Sequence, residues 1–281
     1  INVVLDWVFI FPLGWGVKGA AIATSISVVI GGLIAVGYLL LYARFLRLYP
    51  IKWSRKSMRL FIRNIGYQCR IGSSALLAEA TLATLMFMGN HLFMHYLGEH
   101  GVGAFGIACY YTPFVFMVGN AIAQSAQPII SYNFGAGCRQ RVQKTIRIAL
   151  LTAVLCGAAV TSLFVCIPHF LVGLFISPND PTFAIATSGF PYYAAGFIFF
   201  ILNLTTIGYY QSLERVGPAT LLALLRGFFF LIPAFLLLPR WLDTPGIWLA
   251  LSCSELLTTL CSLSFYLFRT CCVRKQRCAK G

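Results

Sequence analysis

Apolar positions along this chain gather into long runs, and polar, glycine and proline positions gather into the short stretches between them. The first run ends near Pro12, and a glycine-bearing turn over 13–18 leads into a second run over 19–43. Later runs cover 71–97, 104–134, 145–170, 183–210, 218–238 and 246–268. Several reach the roughly 20 apolar residues that a helix needs to cross hydrocarbon. Pro113 and Pro128 are expected to interrupt the run over 104–134, and the Ser-Pro-Asn-Asp-Pro stretch at 177–181 marks a turn. A helix satisfies its own backbone groups where water cannot, so each run predicts a helix. The fold class is an all-α, polytopic membrane helix bundle of about eight spans, the first of them incomplete. The chain opens on Ile1 inside a run, so we expect it to be part of a longer protein.

Composition narrows the picture in the same direction. Hydrophobic residues make up 59% of the chain and charged residues 10%, with a mean hydropathy of +0.82, more apolar surface than one soluble core can hide. The net charge of +14 sits between runs rather than on one face. Arg44, Arg47, Lys52, Arg55, Lys56, Arg59 and Arg63 form one basic group, Arg139, Arg141, Lys144 and Arg147 a second, and Arg269, Arg274, Lys275, Arg277 and Lys280 a third. Cationic loops of this kind stay cytoplasmic and lie against anionic lipid, which argues against nucleic acid and predicts a multi-pass protein of the cell membrane with a cytoplasmic C-terminus. Of the ten cysteines, five lie in apolar runs and three in the basic tail. A reducing cytosol disfavours structural disulfides there, and the spacing of Cys271, Cys272 and Cys278 fits no zinc motif.

Only seven acidic residues are present. Glu99, Asp180, Glu214 and Asp243 fall in turns and read as solvated charges. Asp6, Glu79 and Glu255 fall inside runs, where a bare charge costs at least about 2.5 kcal/mol and marks a candidate site. Asn2 precedes Asp6 by one helical turn on the same face, and Thr24 comes early in the return helix. Amide, carboxylate and hydroxyl oxygens suit a small alkali cation or a proton-exchanging carboxyl; the same trio would also serve as an inter-helix hydrogen bond. Glu79 lies in the small-residue stretch SSALLAEATLAT, which leaves room for a cavity. Tyr110, Phe114, Met117, Tyr193 and Phe197, with Asn203, could line that cavity for flat organic cations, or the aromatic residues could face lipid. Arg226 and Glu255 each lie roughly 13 Å deep from opposite sides of a core about 30 Å thick, so neighbouring helices can pair them as a structural or gating ion pair. His91, His95 and Glu99 share a helix face, yet no open metal geometry follows from them, and no metal site is expected. The sequon at Asn203 is unusable inside a span. No Walker A motif appears in the chain.

Several segments resemble the multidrug and toxic compound extrusion (MATE) family. NVVLDWVFIF with GWGVKGAAIATSIS is similar to the segment joining that family's fifth and sixth helices, and GNAIAQSAQPIISYNFGAG to its eighth-helix motif. LLRGFFFLIPAFLLLP and GIWLALSCSE resemble its eleventh and twelfth helices. The resemblance implies the remainder of a two-lobed, twelve-helix transporter. Residues 1–43 would be the last helices of the N-lobe, 44–70 a cytoplasmic inter-lobe linker, 71–270 the six-helix C-lobe and 271–281 a basic cytoplasmic tail. It also implies cation coupling at Asn2, Asp6 and Thr24, as in one branch of the family, and a cavity carboxylate at Glu79, as in others. The acidic partner that those branches carry in the tenth helix has no counterpart between Phe183 and Tyr210. The function implied is a secondary active antiporter that exports amphipathic organic cations in exchange for Na+ or H+, with no other cofactor. Its partners would be membrane lipid and small organic cations, with no nucleic acid and no obligate protein partner. The alternatives are a lipid-linked saccharide flippase of similar architecture, whose cavity would be richer in Arg and Lys, and an integral-membrane enzyme, for which no nucleophile is apparent.

Overall fold

A computed structural model describes residues 1–42 and 54–278, with side chains as far as residue 266. The basic residues Arg44, Arg47 and Lys52 and the side chains of the basic tail therefore lie outside the described residues. The chain divides into two compact units, Ile1–Arg63 and Asn64–Gly281. All regular structure among the described residues is helical.

In the first unit, α1 (Asn2–Ile10) turns back into α2 (Gly16–Leu41). The turn is set by Pro12, which cannot continue the helix, and by Gly14 and Gly16, whose φ values of 63° and 53° only glycine adopts without strain. The Trp15 amide donates to the Phe9 carbonyl at 3.0 Å, and the two rings lie 5.2 Å apart. Gly19 lets α2 approach this turn, since any Cβ there would press on Phe9 and Trp15.

The second unit is built around α3 (Arg55–Gly135) from Asn64 onward, and this helix begins well before the run expected at 71. Residues 55–70 carry five cationic side chains among their apolar ones, but no proline intervenes, and a helix entering from the interface can keep its cationic side chains wet. Gly98 (φ 64°, ψ −156°) then breaks α3, and the chain folds back so that Phe93 and Phe105 stack at 4.7 Å. Pro113 and Pro128 sit inside the second half without ending it, contrary to the expected interruption. A span can hold proline where neighbouring groups take up the freed carbonyl.

The next run divides at Ile167 into α4 (Arg139–Cys166) and α5 (Pro168–Gly173), because the residue before proline avoids the helical region. The run expected over 183–210 also divides, into α6 (Pro181–Ala194) and α7 (Phe197–Ser212), bent by 46°. Pro191 weakens the end of α6, and Gly196 packs against Ser252 with no room for a side chain. α8 (Val216–Leu224) passes into a π-helical turn, Leu225–Phe229, before α9 (Leu231–Cys278). α9 folds back at Asp243 (φ 50°, ψ −132°).

Phe93, Phe105, Phe190, Phe197, Tyr193 and Trp248 fill the core between these helices. Their rings meet mostly edge to face, as Phe93 and Trp248 do at 4.7 Å, a geometry worth about 0.5–1.5 kcal/mol per pair beyond burial. Lipid is as apolar as the core, so close packing rather than water exclusion joins the helices. Gly119 of α3 against Leu204, and Gly208 of α7 against Ala123, bring those two backbones together. Helices Gly16–Leu41, Arg55–Gly135, Arg139–Cys166 and Val216–Tyr266 are long and apolar enough to cross a membrane, and α6 with α7 passes as a bent pair. Two of the four fold back on themselves, so with the bent pair they account for seven of the eight apolar runs; the first run forms α1, which is only nine residues long. The chain is a multi-pass membrane helix bundle.

Candidate functional site

In the first unit the Asn2 amide donates to the Thr24 hydroxyl at 3.4 Å, and Thr24 in turn donates to the Ala20 carbonyl at 3.0 Å. Asp6 stands one turn along α1 from Asn2 and bonds neither of them. Its Oδ1 is shielded from solvent and has no hydrogen-bond partner. A carboxylate oxygen left in that condition calls for a proton or a cation, because desolvation without a partner is costly. The oxygens of Asn2, Asp6 and Thr24 are hard donors of the kind that Na+ takes, and a carboxyl can also carry a proton.

In the second unit Glu79 opens onto a cavity of about 530 Å3 between the two halves of α3 and α7. Asn120, Gln124, Gln127 and Gln211 contribute amides to its wall, and Phe116, Leu204 and Ile207 contribute apolar surface. Gln211 is held in place by donating to the Ser74 hydroxyl at 3.0 Å. Glu79 is the sole charged side chain among the described residues lining this cavity. The amides at 120, 124 and 127 repeat at helical spacing within an apolar run, a signal the sequence carries but the reading above did not use.

The other residues proposed for that cavity are not brought to it. Tyr110, Phe114 and Met117 lie on an exposed face of α3, where Tyr110 stacks on Phe175 at 5.6 Å. Tyr193 and Phe197 are buried in the aromatic core, and the Tyr193 hydroxyl pairs with that of Thr112 at 2.7 Å. The correction has a simple cause: residue type cannot tell a ring facing a cavity from one facing core or lipid. Asn203 belongs elsewhere too, since it donates to the Glu255 carbonyl at 2.9 Å and to Oε2 of the Glu255 carboxylate at 2.7 Å.

Arg226 and Glu255 meet with Nη2 and Oε1 2.7 Å apart, both side chains fully buried. The Arg226 Nε donates to the same oxygen at 2.9 Å. Nη1 has no hydrogen-bond partner, but the guanidinium lies 4.3 Å from the Phe200 ring centre, whose face attracts it. The π-helical turn carries Arg226, and the Ser254 hydroxyl donates to its carbonyl at 2.6 Å. Thr259 completes the network by donating to Asn203 at 3.1 Å.

Two of the turn acids do more than face solvent. Oδ1 of Asp180 accepts from the Thr182 amide at 2.8 Å and caps α6. Hydrogen bonding from Thr182 holds the pKa of the Asp180 carboxyl below its ordinary value. Glu214 accepts from the Tyr67 hydroxyl at 2.5 Å, and that hydrogen bond raises the Tyr67 phenol above its ordinary value. His100 meets the Thr182 hydroxyl at 3.2 Å. Among the described residues, no three of His, Cys, Asp or Glu gather to hold a metal.

Broken helices, an amide-lined cavity and carboxylates within spans are features that membrane transporters share. Residues 75–236 match the MatE family model, and the chain belongs to that family. It is 25% identical over 279 residues to the multidrug export protein MepA of Staphylococcus aureus, covering 96% of this chain and 58% of that protein. It is 23% identical over 264 residues to MepA of Staphylococcus saprophyticus, covering 94% of this chain and 56% of that one. The chain thus spans a little over half the length of these curated relatives, which are named as export proteins and not as enzymes. Among solved structures it is similar to an outward-facing multidrug resistance MATE transporter of the MOP superfamily, with a TM-score of 0.82 and 19% identity over 98% of this chain and 60% of that one. It is also similar to a MOP superfamily transporter from Pyrococcus furiosus, described as having a binding pocket of reversed polarity that suggests a different function. That match has a TM-score of 0.81 and 18% identity over 95% of this chain and 59% of that one.

Proposed function

We propose that this chain is the larger part of a secondary active antiporter that exports amphipathic organic cations, driven by entry of Na+ or H+. The observation that carries the reading is the Glu79 cavity, a carboxylate among neutral amides and apolar walls. One negative charge, opposed by no cation among the described lining residues, favours a cationic, partly apolar guest. A lipid-linked saccharide bears phosphate and would call for Arg or Lys, and neither lines this cavity among the described residues. Coupling is assigned to Asp6, supported by Asn2 and Thr24. Ion binding drives transport only if the site's affinity differs between conformations.

The test uses the intact transporter in proteoliposomes with an imposed Na+ or H+ gradient and ethidium as the exported cation. Glu79→Gln is expected to lower efflux at least about tenfold, the loss of one charge-assisted contact. Asp6→Asn is expected to abolish the response to the gradient, and Asn2→Ala and Thr24→Ala to weaken it less. Full efflux by Glu79→Gln would remove the cavity role, and full gradient response by Asp6→Asn would remove the coupling role.

A further inference from the structure

A second cavity, of about 510 Å3, lies between α4, α7 and α9 and takes no part in the reading above. Its size falls in the range of about 300–1,000 Å3 that small-molecule sites occupy. Val142 near the start of α4 and Leu213 just beyond the end of α7 share one apolar cluster, so those two helix ends lie together. Gln143, Arg147 and Tyr210 therefore line the end of the cavity nearest the basic turn before α4, and Leu150, Leu202 and Asn203 line the far end.

The two ends differ in chemistry. Asn203 and Thr259 bond to each other and to Glu255, so their polar atoms are already engaged at the far end. Ile146, Leu150, Leu202 and Leu263 supply apolar wall. Among the described residues lining the cavity, Arg147 is the sole charged side chain and none is a carboxylate. Its polarity is thus opposite to that of the Glu79 cavity. An organic cation entering here would meet a guanidinium that no carboxylate among the described lining residues offsets.

Arg147 stands about 12 Å along α4 from Arg139, beyond Arg141 and Lys144. Basic pockets between spans at a cationic membrane face suit anionic head groups. We propose that this cavity is a binding site for an anionic amphiphile. Arg147 and Gln143 hold its phosphate or carboxylate head, and Leu150, Leu202 and Leu263 take its apolar chain. Two sources share that chemistry, an acidic membrane lipid and a free alkyl anion.

Native mass spectrometry of the purified transporter distinguishes them, with dioleoylphosphatidylglycerol, dioleoylphosphatidylcholine and dodecyl phosphate as probes. The wild type is expected to bind phosphatidylglycerol, dodecyl phosphate or both at least about tenfold more tightly than phosphatidylcholine. Retention of phosphatidylglycerol assigns the lipid source, and retention of dodecyl phosphate alone assigns the free anion. Arg147→Gln should lose the preference, Arg147→Lys should keep most of it, and Arg141→Gln, on the same helix but outside the cavity, should leave it unchanged. Ser262→Phe, which fills the cavity without altering charge, should also lower retention. Equal binding of all three probes, no effect of Arg147→Gln, or an equal loss in Arg141→Gln would each overturn the site.

Discussion

Arg226 and Glu255 show how much one buried pair determines. Each charge is fully enclosed and finds its main partner in the other, with Asn203 bracing the carboxylate and Phe200 beneath the guanidinium. Removing one partner leaves an uncompensated charge, which costs about 3–5 kcal/mol, whereas replacing both with apolar residues of similar volume is often neutral. Arg226→Met should therefore lower the thermal unfolding temperature in detergent sharply, and Arg226→Met with Glu255→Met should recover most of the loss. A double variant as unstable as the single one would mean that the pair is not a closed unit. Position alone made this contact legible, since equal depths on antiparallel spans bring the two residues level. Asn203 was not legible as their partner, because an amide in a span offers no charge to place.

At the scale of elements, the departures from simple spans occur where proline, glycine or a buried polar group changes the backbone. The π-helical turn at Leu225–Phe229 closes with the Phe230 amide bonded to the Leu225 carbonyl at 2.9 Å. Gly227 lies in that turn directly against Thr81 of α3. Gly227→Val should destabilise the bundle by about 1–3 kcal/mol through overpacking, read as a lower unfolding temperature. The start of α6 depends on Asp180, whose carboxyl titrates below its ordinary value because the folded state hydrogen-bonds its anion. A lowered folded value means that the cap contributes above the unfolded value and is lost as pH falls through the folded one. Hydrogen exchange at the Thr182 amide should be slower in wild type than in Asp180→Ala at neutral pH, and the difference should vanish at acidic pH. A difference that persists there would separate the protection from the carboxylate.

For the whole molecule, the charge distribution predicts which side of the membrane each turn faces. Cys138, an exposed residue between α3 and α4, adjoins the basic group at 139–147. A membrane-impermeant maleimide should modify Cys138 in inside-out vesicles and spare it in intact cells. Modification from the outside would invert the topology and with it the direction assigned to transport.

Hydrophobic run length determined the class of this molecule, because a helix crossing hydrocarbon must be long and apolar whatever its neighbours are. Isolated carboxylates at 6, 79 and 255 were equally visible, since charge in a span is rare and costly. Only the tertiary structure decided which of them is paired and which faces open space. Glu255 is enclosed against Arg226, Glu79 borders an amide-lined cavity, and Oδ1 of Asp6 is left without a partner. It also sent Tyr193 and Phe197 into the core and Tyr110, Phe114 and Met117 to the surface. An aromatic ring is compatible with core, cavity and lipid alike, so its sequence position carries no preference. The packing of neighbouring helices supplies the direction it faces.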